Sequence, residues 1–448
     1  MKVNILDYGA VGDGITLNTS VIQKAVDDCA RNLGGTVIIP QGIYLSGTIF
    51  LKSNVTLAIE NGGVLKASSN IGDYEKIDYE KIKSIDNKWE KVTSLIYVKD
   101  AENVNIVGNG TIDLSGDSFM DFTRVHNNFE ELNLLTLDQI QEVECKTLER
   151  PNQPIFFLNC RNVSVKDVRI INSPCWTVSF HSSENIRIEN ISIVNNLRIP
   201  NSDGIHLCSC KDVIITNSNI SCGDDCIAIT GITNWDIPSE RIIISNCILR
   251  TRSAGLRIGN LDSKIRDVIA SNLIIKDSNR GIGIFADGKN GWVRSVKIDK
   301  VLAETKIFAG TWWGKGEPLV ISAPNSGNVI RDVSVKNFSA VSENGIIVIG
   351  EGCNIEDIKI EDVNLNLRYS KYRALFGKYI DIRPSEVIPI SDYLYHIPWI
   401  YLKGANRVKM RNIIYRRDSN TSEEPVFRID GVFLDSNNLK YEDIEADT

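Results

Sequence analysis

Three aspartates occupy two short motifs that lie 21 residues apart in the sequence. Asp203 stands in Asn-Ser-Asp-Gly (201–204), and Asp224 and Asp225 stand in Gly-Asp-Asp-Cys (223–226). Each motif directly precedes a short apolar stretch, which predicts carboxylates at the entrances of two strands. Close carboxylates cannot all ionise easily, so one of them should retain its proton near neutral pH. An acid beside ionised carboxylates is what glycoside hydrolysis requires, because one group protonates the leaving oxygen while others activate water.

The elements that must position these aspartates follow from a repeat. A pattern of apolar, any, apolar, any and then usually Asn or Asp recurs, and its first five copies start 23, 27, 29 and 26 residues apart. The copies start at Val163, Ile186, Val213, Ile242 and Val268, with weaker ones at Val296, Val333, Ile358 and Val408. A second series of short strands with similar spacing lies between them. Asp203 and Asp224 should therefore fall on adjacent rungs, about 4.8 Å apart. The two motifs also fit a ladder of Asp and Asn turns without chemistry.

Strands that repeat without helices between them indicate a solenoid in which equivalent strands stack into parallel sheets. We predict an all-β fold, a single-stranded right-handed parallel β-helix, with the hand taken from the general rule for parallel crossovers. A β-propeller, with four strands per repeat of roughly 40 or more residues, fits worse. Helical spacing of apolar residues over 16–31 predicts an N-terminal capping helix. We predict one domain over 1–448, with insertions at about 115–150 and 369–400, because no Gly-, Ser- or Pro-rich linker divides the chain.

Composition narrows the classes of partner. The chain has 448 residues and a formal net charge of −7, which argues against general nucleic-acid binding. No apolar run reaches the roughly 18 residues of a membrane span. The start of the sequence has no apolar signal segment, so a cytoplasmic location is expected unless a signal was removed. The ten cysteines are expected to be buried, reduced thiols, because their CxC and CxxxC spacings do not match paired CxxC metal motifs.

The motifs resemble glycoside hydrolase family 28, the polygalacturonases and their relatives, over most of the chain. The resemblance begins with Asp-Tyr-Gly-Ala-Val-Gly-Asp-Gly (7–14), continues through Ser-Pro-Cys-Trp (173–176), and is sharpest at NSDG and GDD. Members of that family are right-handed parallel β-helices that act with inversion and without a metal. The resemblance implies Asp224 as general acid, with Asp203 and Asp225 positioning and deprotonating water. It implies no cofactor.

The sequence departs from the polygalacturonase pattern where that family binds a galacturonate carboxylate. Ala254 stands where the family has the histidine of its GHG motif. Gly283 and Phe285 stand where it has the arginine and lysine of its RIK motif. A neutral residue cannot replace a cation's charge-assisted bond to a uronate. We therefore expect poor activity on plain polygalacturonan.

Two groups of side chains are candidates for substrate binding. The first group lies next to the aspartates and comprises Asn201, His206, Arg257 and Arg280. The second lies in a Gly-rich loop at 310–318 and comprises Trp312, Trp313, Lys315 and Glu317. Indole faces pack well on sugar rings, and Lys and Glu side chains can bind hydroxyls or a carboxylate. The alternative for each residue is an ordinary place on the solvated solenoid face or in a loop packed on it.

We interpret the chain as an inverting glycoside hydrolase acting on a pectin-like or related acidic or deoxy-sugar glycan. Aromatic insertions that closed one end of the groove would favour exo-action on oligosaccharides. One alternative is a polysaccharide lyase on the same fold, with an arginine base and calcium held by the acids. Another is a non-catalytic carbohydrate-binding β-helix. The expected partner is a carbohydrate, with neither nucleic acid nor membrane, and the oligomeric state is open.

Overall fold

The computed structural model describes residues 1–78, 91–232, 236–377, 379–383, 387–389, 397–417 and 431–447. In this part of the chain, 21 strands form one sheet and 12 form a second, and the inter-strand pairings within both sheets are parallel. The fold is the predicted right-handed parallel β-helix. Three two-stranded antiparallel hairpins lie outside the coils.

The larger sheet, here the long-strand sheet, contains the turn-and-strand repeat. Its strands are Lys2–Asn4, Asp13–Leu17, Gly35–Ile39, Gly42–Ser46, Val55–Ile59, Gly63–Ala67, Glu102–Val107, Thr111–Asp113, Arg161–Lys166, Arg169–Ile171, Glu184–Glu189, Ser192–Val194, Lys211–Thr216, Asn219–Cys222, Ser239–Thr251, Lys264–Ser278, Trp292–Thr305, Val329–Ser342, Ile355–Leu367, Ala405–Arg417 and Lys440–Asp447. The smaller one, here the short-strand sheet, contains Ile49–Leu51, Ile96–Lys99, Ile155–Leu158, Val178–His181, Ile205–Cys208, Ile227–Thr230, Ala254–Ile258, Arg280–Phe285, Leu319–Ala323, Ile346–Gly350, Ile400–Lys403 and Val432–Leu434.

The repeat found in the sequence is the register of the long-strand sheet. All nine predicted starts, from Val163 to Val408, are paired in one column and are buried. The polar residue that closes each of the first five copies has a positive φ, between 53° and 60°, as expected for Asn and Asp in left-handed turns. Their side chains bond from rung to rung; Asn190 Nδ2, for example, donates to Asp167 Oδ1 at 2.7 Å. The stacked core and these hydrogen bonds fix the position of each coil along the axis of the solenoid.

A helix at Thr19–Arg31 packs on the first coils and buries Ile22, Ala25, Val26 and Cys29. It begins three residues later than the segment predicted from apolar spacing, because Asp13–Leu17 is a strand. The described residues contain no helix that is both long and apolar enough to cross a membrane. All ten cysteines are free thiols, and nine of them are buried.

Three insertions leave the coil pattern on the side of the aspartates. The first carries the hairpin Met120–Val125 and Cys145–Thr147, a helix at Leu137–Ile140 and 3-10 turns at Gly116–Phe119 and Glu130–Leu134. The second is the loop at 306–318. The third carries a helix at Arg373–Phe376 and the hairpin Tyr379–Asp381 and Val387–Pro389, while residues 378, 384–386 and 390–396 lie outside the described residues.

The insertions share a small core of their own. Its buried members are Val143, Ile307, Ala309, Tyr372 and Phe376, with at least one from each insertion. Apolar side chains that pack together in this way remove their surface from water and hold the three segments against one another. The insertions therefore form one wall beside the rungs that carry the aspartates.

Candidate active site

The two acidic motifs occupy equivalent turns on neighbouring rungs. The strands that follow them, Ile205–Cys208 and Ile227–Thr230, pair in parallel with Ile205 opposite Ile227. Glycine is required in both motifs because the backbones approach closely. A Cβ on Gly204 would lie 2.4 Å from the carbonyl oxygen of Cys226, and one on Gly223 would lie 2.3 Å from that of Ile199. This packing brings one carboxylate oxygen each of Asp203, Asp224 and Asp225 within 4.8 Å of one another.

Asp225 is the most firmly held of the three aspartates. Its Oδ1 accepts hydrogen bonds from Ser253 Oγ at 2.8 Å and from the Ala254 backbone N–H at 3.0 Å. Its Oδ2 accepts one from Arg257 Nη1 at 3.1 Å. The side chain is buried and does not line the cavity described below. These three hydrogen bonds fix the side chain of Asp225 beside Asp224.

Asp203 is positioned by a histidine on the strand that follows it. His206 Nδ1 lies 3.1 Å from Asp203 Oδ2, and His206 Nε2 lies 3.0 Å from Thr230 Oγ1 on the next rung. Trp176 stacks on the imidazole, with ring centroids 3.8 Å apart and planes 20° apart. The imidazole is thus fixed from three sides and orients the carboxylate of Asp203.

Asp224 differs from the other two in its electrostatics. Its Oδ2 accepts weak hydrogen bonds from the backbone and side-chain nitrogens of Asn201, at 3.2 and 3.4 Å. Burial and the neighbouring charges of Asp203 and Asp225 raise the pKa of Asp224 well above its ordinary value, and Arg257 opposes the shift. The protonated carboxyl that the sequence predicts is therefore best placed on Asp224.

A cavity of about 280 Å³ opens over these residues. Its wall includes Asp203, Asp224 and five of the predicted binding residues, which are Asn201, His206, Arg257, Trp312 and Trp313. It also includes residues that the sequence prediction left out: His126, Asn127, Glu144, Trp176, Pro200, Ser253, Thr311 and Arg383. All three insertions contribute to this list, so the cavity has walls and is not an open groove along the solenoid.

The two tryptophans of the loop play different parts. Trp312 is buried, and its Nε1 donates a hydrogen bond to the Glu142 carbonyl oxygen at 2.9 Å, which ties the loop to the first insertion. Trp313 is only half-buried. The guanidinium carbons of Arg257 and Arg383 lie 5.5 and 5.7 Å from its ring centroid. Trp313 is the ring better placed to contact a sugar.

Three predicted binding residues do not line the cavity. Arg280 is buried behind the loop at 306–318, here called the tryptophan loop, and Lys315 and Glu317 are buried within it. Glu317 Oε2 accepts hydrogen bonds from the Lys315 backbone N–H at 2.7 Å and from Arg280 Nε at 3.3 Å. Arg280 also donates to the Asp381 carbonyl oxygen. The charges of Arg280 and Glu317 satisfy one another inside the protein, and Lys315 Nζ donates to the Trp312 carbonyl oxygen at 3.4 Å. All three residues therefore position the loop.

Arg383 and Asp381 connect the third insertion to the same loop. Arg383 Nη2 donates to Asp381 Oδ2 at 2.6 Å and to the Trp312 carbonyl oxygen at 2.8 Å. Asp381 also accepts from the Gly314 N–H at 2.9 Å, and the Arg383 charge and hydrogen bond outweigh burial to lower the pKa of Asp381. Nothing in the local sequence connects Arg383 with the tryptophan loop, because Trp312 lies 71 residues away in the chain.

Apolar packing surrounds the positions at which the resemblance would place the cations that bind a galacturonate carboxylate. Gly283 has the Phe285 ring against it, and a Cβ there would lie 2.3 Å from Phe285 Cε2. Phe285 is itself buried in a cluster with Val320, Ile347, Ile349, Ile380 and Ile382. Ala254 uses its backbone N–H to bond Asp225. These three positions supply no side-chain cation to a substrate.

The buried ion pair behind the loop should matter for stability. Glu317→Gln leaves the Arg280 guanidinium buried without its charged partner, and breaking a buried pair in this way costs about 3–5 kcal/mol. We expect the free energy of unfolding, from urea denaturation, to fall by about 3 kcal/mol. Glu351→Gln, at an exposed turn, is the control and should change it little. Equal unfolding midpoints for the two variants would contradict a structural role for Glu317.

The carboxylate cluster also has the oxygen donors that a divalent cation prefers. The guanidinium of Arg257, however, already lies against Asp225 within the cluster. It supplies the positive charge that the carboxylates need and would repel a second cation. The donor set therefore suits proton transfer better than a resident metal ion.

Comparison with known proteins agrees with this chemistry. The model of the family described as glycosyl hydrolases family 28 matches residues 29–375. A probable polygalacturonase of Vitis vinifera is 29% identical over 334 residues, covering 70% of this chain and 63% of that protein. An exo-poly-alpha-D-galacturonosidase of Dickeya chrysanthemi is 28% identical over 312 residues, covering 62% of this chain and 51% of that protein. The chain thus matches between half and two thirds of the length of these relatives.

Among solved structures, an exopolygalacturonase from Thermotoga maritima superposes with a TM-score of 0.69. It is 24% identical, and the match covers 93% of this chain and 91% of that one. At this identity the likeness establishes the fold alone.

Proposed function

The chain belongs to glycoside hydrolase family 28, and from this premise we propose that it cleaves a pectin-derived oligosaccharide with Asp224 as general acid. Membership of this family supports a general activity, the hydrolysis of O-glycosyl bonds by a polygalacturonase-like enzyme. One observation supports the assignment of Asp224 as the general acid. The carboxyl with the raised pKa lies on the wall of the cavity, within 4.8 Å of two other carboxylates.

In the proposed reaction the bond between the anomeric carbon and the leaving oxygen breaks as Asp224 gives its proton to that oxygen. A water molecule attacks the anomeric carbon, and its proton passes to Asp203, which His206 orients. Asp225 is held in place by its bonds to Arg257, Ser253 and the Ala254 N–H. Its charge keeps Asp224 protonated before the reaction and stabilises the positive charge that develops on the sugar ring.

We propose inversion at the anomeric carbon. Separations of about 6.5–9.5 Å between the two carboxyls are usual for inverting enzymes, and the spacing here is shorter. A retaining reaction would need one carboxylate as nucleophile. Asp225 is a poor candidate because both of its oxygens are hydrogen-bonded and it is not on the cavity wall. Asp203 is bound to His206 and suits the role of a base better than that of a nucleophile.

The walls that the insertions form around the cavity support exo-action. Residues from all three insertions bound its wall, among them Asn127, Trp312 and Arg383. A volume of about 280 Å³ accommodates one or two sugar rings rather than a long chain. We infer that the enzyme removes a terminal sugar or a short fragment from a chain end.

One experiment on the wild-type protein tests these assignments together. Purified enzyme is incubated with polygalacturonic acid and with rhamnogalacturonan oligosaccharides, and products are followed by proton NMR from the first minutes. We expect small products of inverted anomeric configuration and an unchanged rate in EDTA. Retained configuration would overturn the assignment of Asp203 as base. EDTA inhibition reversed by calcium, with products absorbing near 232 nm, would instead support the lyase alternative.

A further inference from the structure

Glu144 is a carboxyl group on the cavity wall that the proposed mechanism does not use. It directly precedes the strand Cys145–Thr147 in the first insertion, and it is only 4% exposed. Thr311 in the tryptophan loop donates to it twice, from its backbone N–H to Oε2 at 3.1 Å and from its hydroxyl to Oε1 at 3.0 Å. A Cβ on Gly310 would lie 2.4 Å from Oε2, so glycine is needed there to admit the carboxyl. Residues of two insertions thus hold the carboxyl group of Glu144 in a defined position.

The charges around the cavity do not favour a second carboxylate. Its wall carries the acids Glu144, Asp203 and Asp224. Its two guanidinium groups are both already paired, Arg257 with Asp225 and Arg383 with Asp381. A carboxylate on a bound sugar would meet the carboxylates of Glu144 and Asp203, while the two guanidinium groups of the wall are held by other acids.

We propose that Glu144 determines specificity by favouring, in this cavity, a sugar without a carboxylate. This inference rests on the proposed function, since it concerns the sugar bound beside Asp224. Each carboxylate oxygen can accept more than one hydrogen bond, so Glu144 can bind sugar hydroxyls in addition to Thr311. A uronate offers a negative charge instead. Glu144 must then stay ionised beside that charge or take up a proton, and both weaken binding at neutral pH.

The test compares two monosaccharides that differ only at C6, D-galactose and D-galacturonate. Their affinities at pH 7 are measured by NMR titration on wild type and on Glu144→Gln. Gln can keep both contacts with Thr311, because its oxygen accepts and its amide donates. We expect wild type to bind galactose more tightly, and Glu144→Gln to raise the affinity for galacturonate relative to galactose about 10-fold. Asp138→Asn removes a charge from the same insertion at an exposed position and should leave the ratio unchanged.

A second measurement needs no variant. The methyl ester of galacturonic acid has the same ring but no charge, and wild type should bind it more tightly than galacturonate. Equal ratios in wild type and Glu144→Gln, or tighter binding of galacturonate than of its ester, would overturn the inference. Because these probes are not hydrolysed, the outcome is independent of the proposed reaction. A protein that cleaved no glycan, yet showed this preference, would refute the proposed function alone.

Discussion

Replacing Asp224 with asparagine is expected to lower kcat by about 10²–10⁴-fold, the range typical for loss of a general acid or base. Asparagine keeps the size of the side chain and can still contact Asn201, but it has no proton to give to the leaving oxygen. The substitution also removes one of three crowded carboxyls, so the fold should not be weakened. Loss of activity with an unchanged thermal unfolding midpoint is the expected combination.

The pH profile gives this prediction a second readout. Asp224 acts in its protonated form, so wild-type activity should fall as the pH rises through the raised pKa of this residue. The residual activity of Asp224→Asn should lack that descending limb. Asp267→Asn is the matched control, because it makes the same change at an exposed left-handed turn with φ 57°. A kcat close to the wild-type value in Asp224→Asn would remove this residue from the role of acid.

The coils could be predicted from the sequence because their physics is local and periodic. Val163 and its eight counterparts are buried in one column, and the residues that close the copies, mostly Asn and Asp, adopt the expected left-handed turns. The same spacing placed Asp203 one rung from Asp224. A repeat of this kind determines both the fold and the position of each residue along the axis of the solenoid.

The wall of the cavity could not be predicted, because it depends on contacts across the chain. Glu144 meets Thr311, 167 residues away, and Arg383 meets Trp312, 71 residues away. The insertions have no repeat from which such contacts could be inferred. The burial of Arg280 and Glu317 could not be predicted for the same reason. In the sequence each resembles a polar residue that faces solvent, but in the structure they are buried against one another.

The structure also gives Arg257 a definite place, and the second large effect is expected there. Its guanidinium donates to Asp225 and, through Nε, to the Gly259 carbonyl oxygen at 3.3 Å. Losing it leaves the aspartates without their nearest cation. Arg257→Ala should therefore lower kcat/KM by about 10²-fold or more, as does loss of one charge-stabilising donor in other active sites. Since Arg257 lowers the pKa of Asp224, the descending limb of the pH profile should move to higher pH. Arg257→Lys, which keeps the charge, should recover part of the activity.

The role of Arg257 can be inferred from the substrates on which Arg257→Ala loses activity. If it serves the aspartates, as its contacts indicate, Arg257→Ala should reduce the hydrolysis of polygalacturonic acid and of rhamnogalacturonan oligosaccharides by similar factors. Wild type should prefer the glycan with a neutral sugar at the cleavage point, because Ala254, Gly283 and Phe285 offer no cation to a uronate and an unpaired charge in a desolvated site is costly. Reducing-sugar release from both substrates measures the two ratios. Efficient cleavage of polygalacturonic acid by wild type, lost selectively in Arg257→Ala, would mean that Arg257 binds the uronate itself and that the proposed substrate preference is wrong.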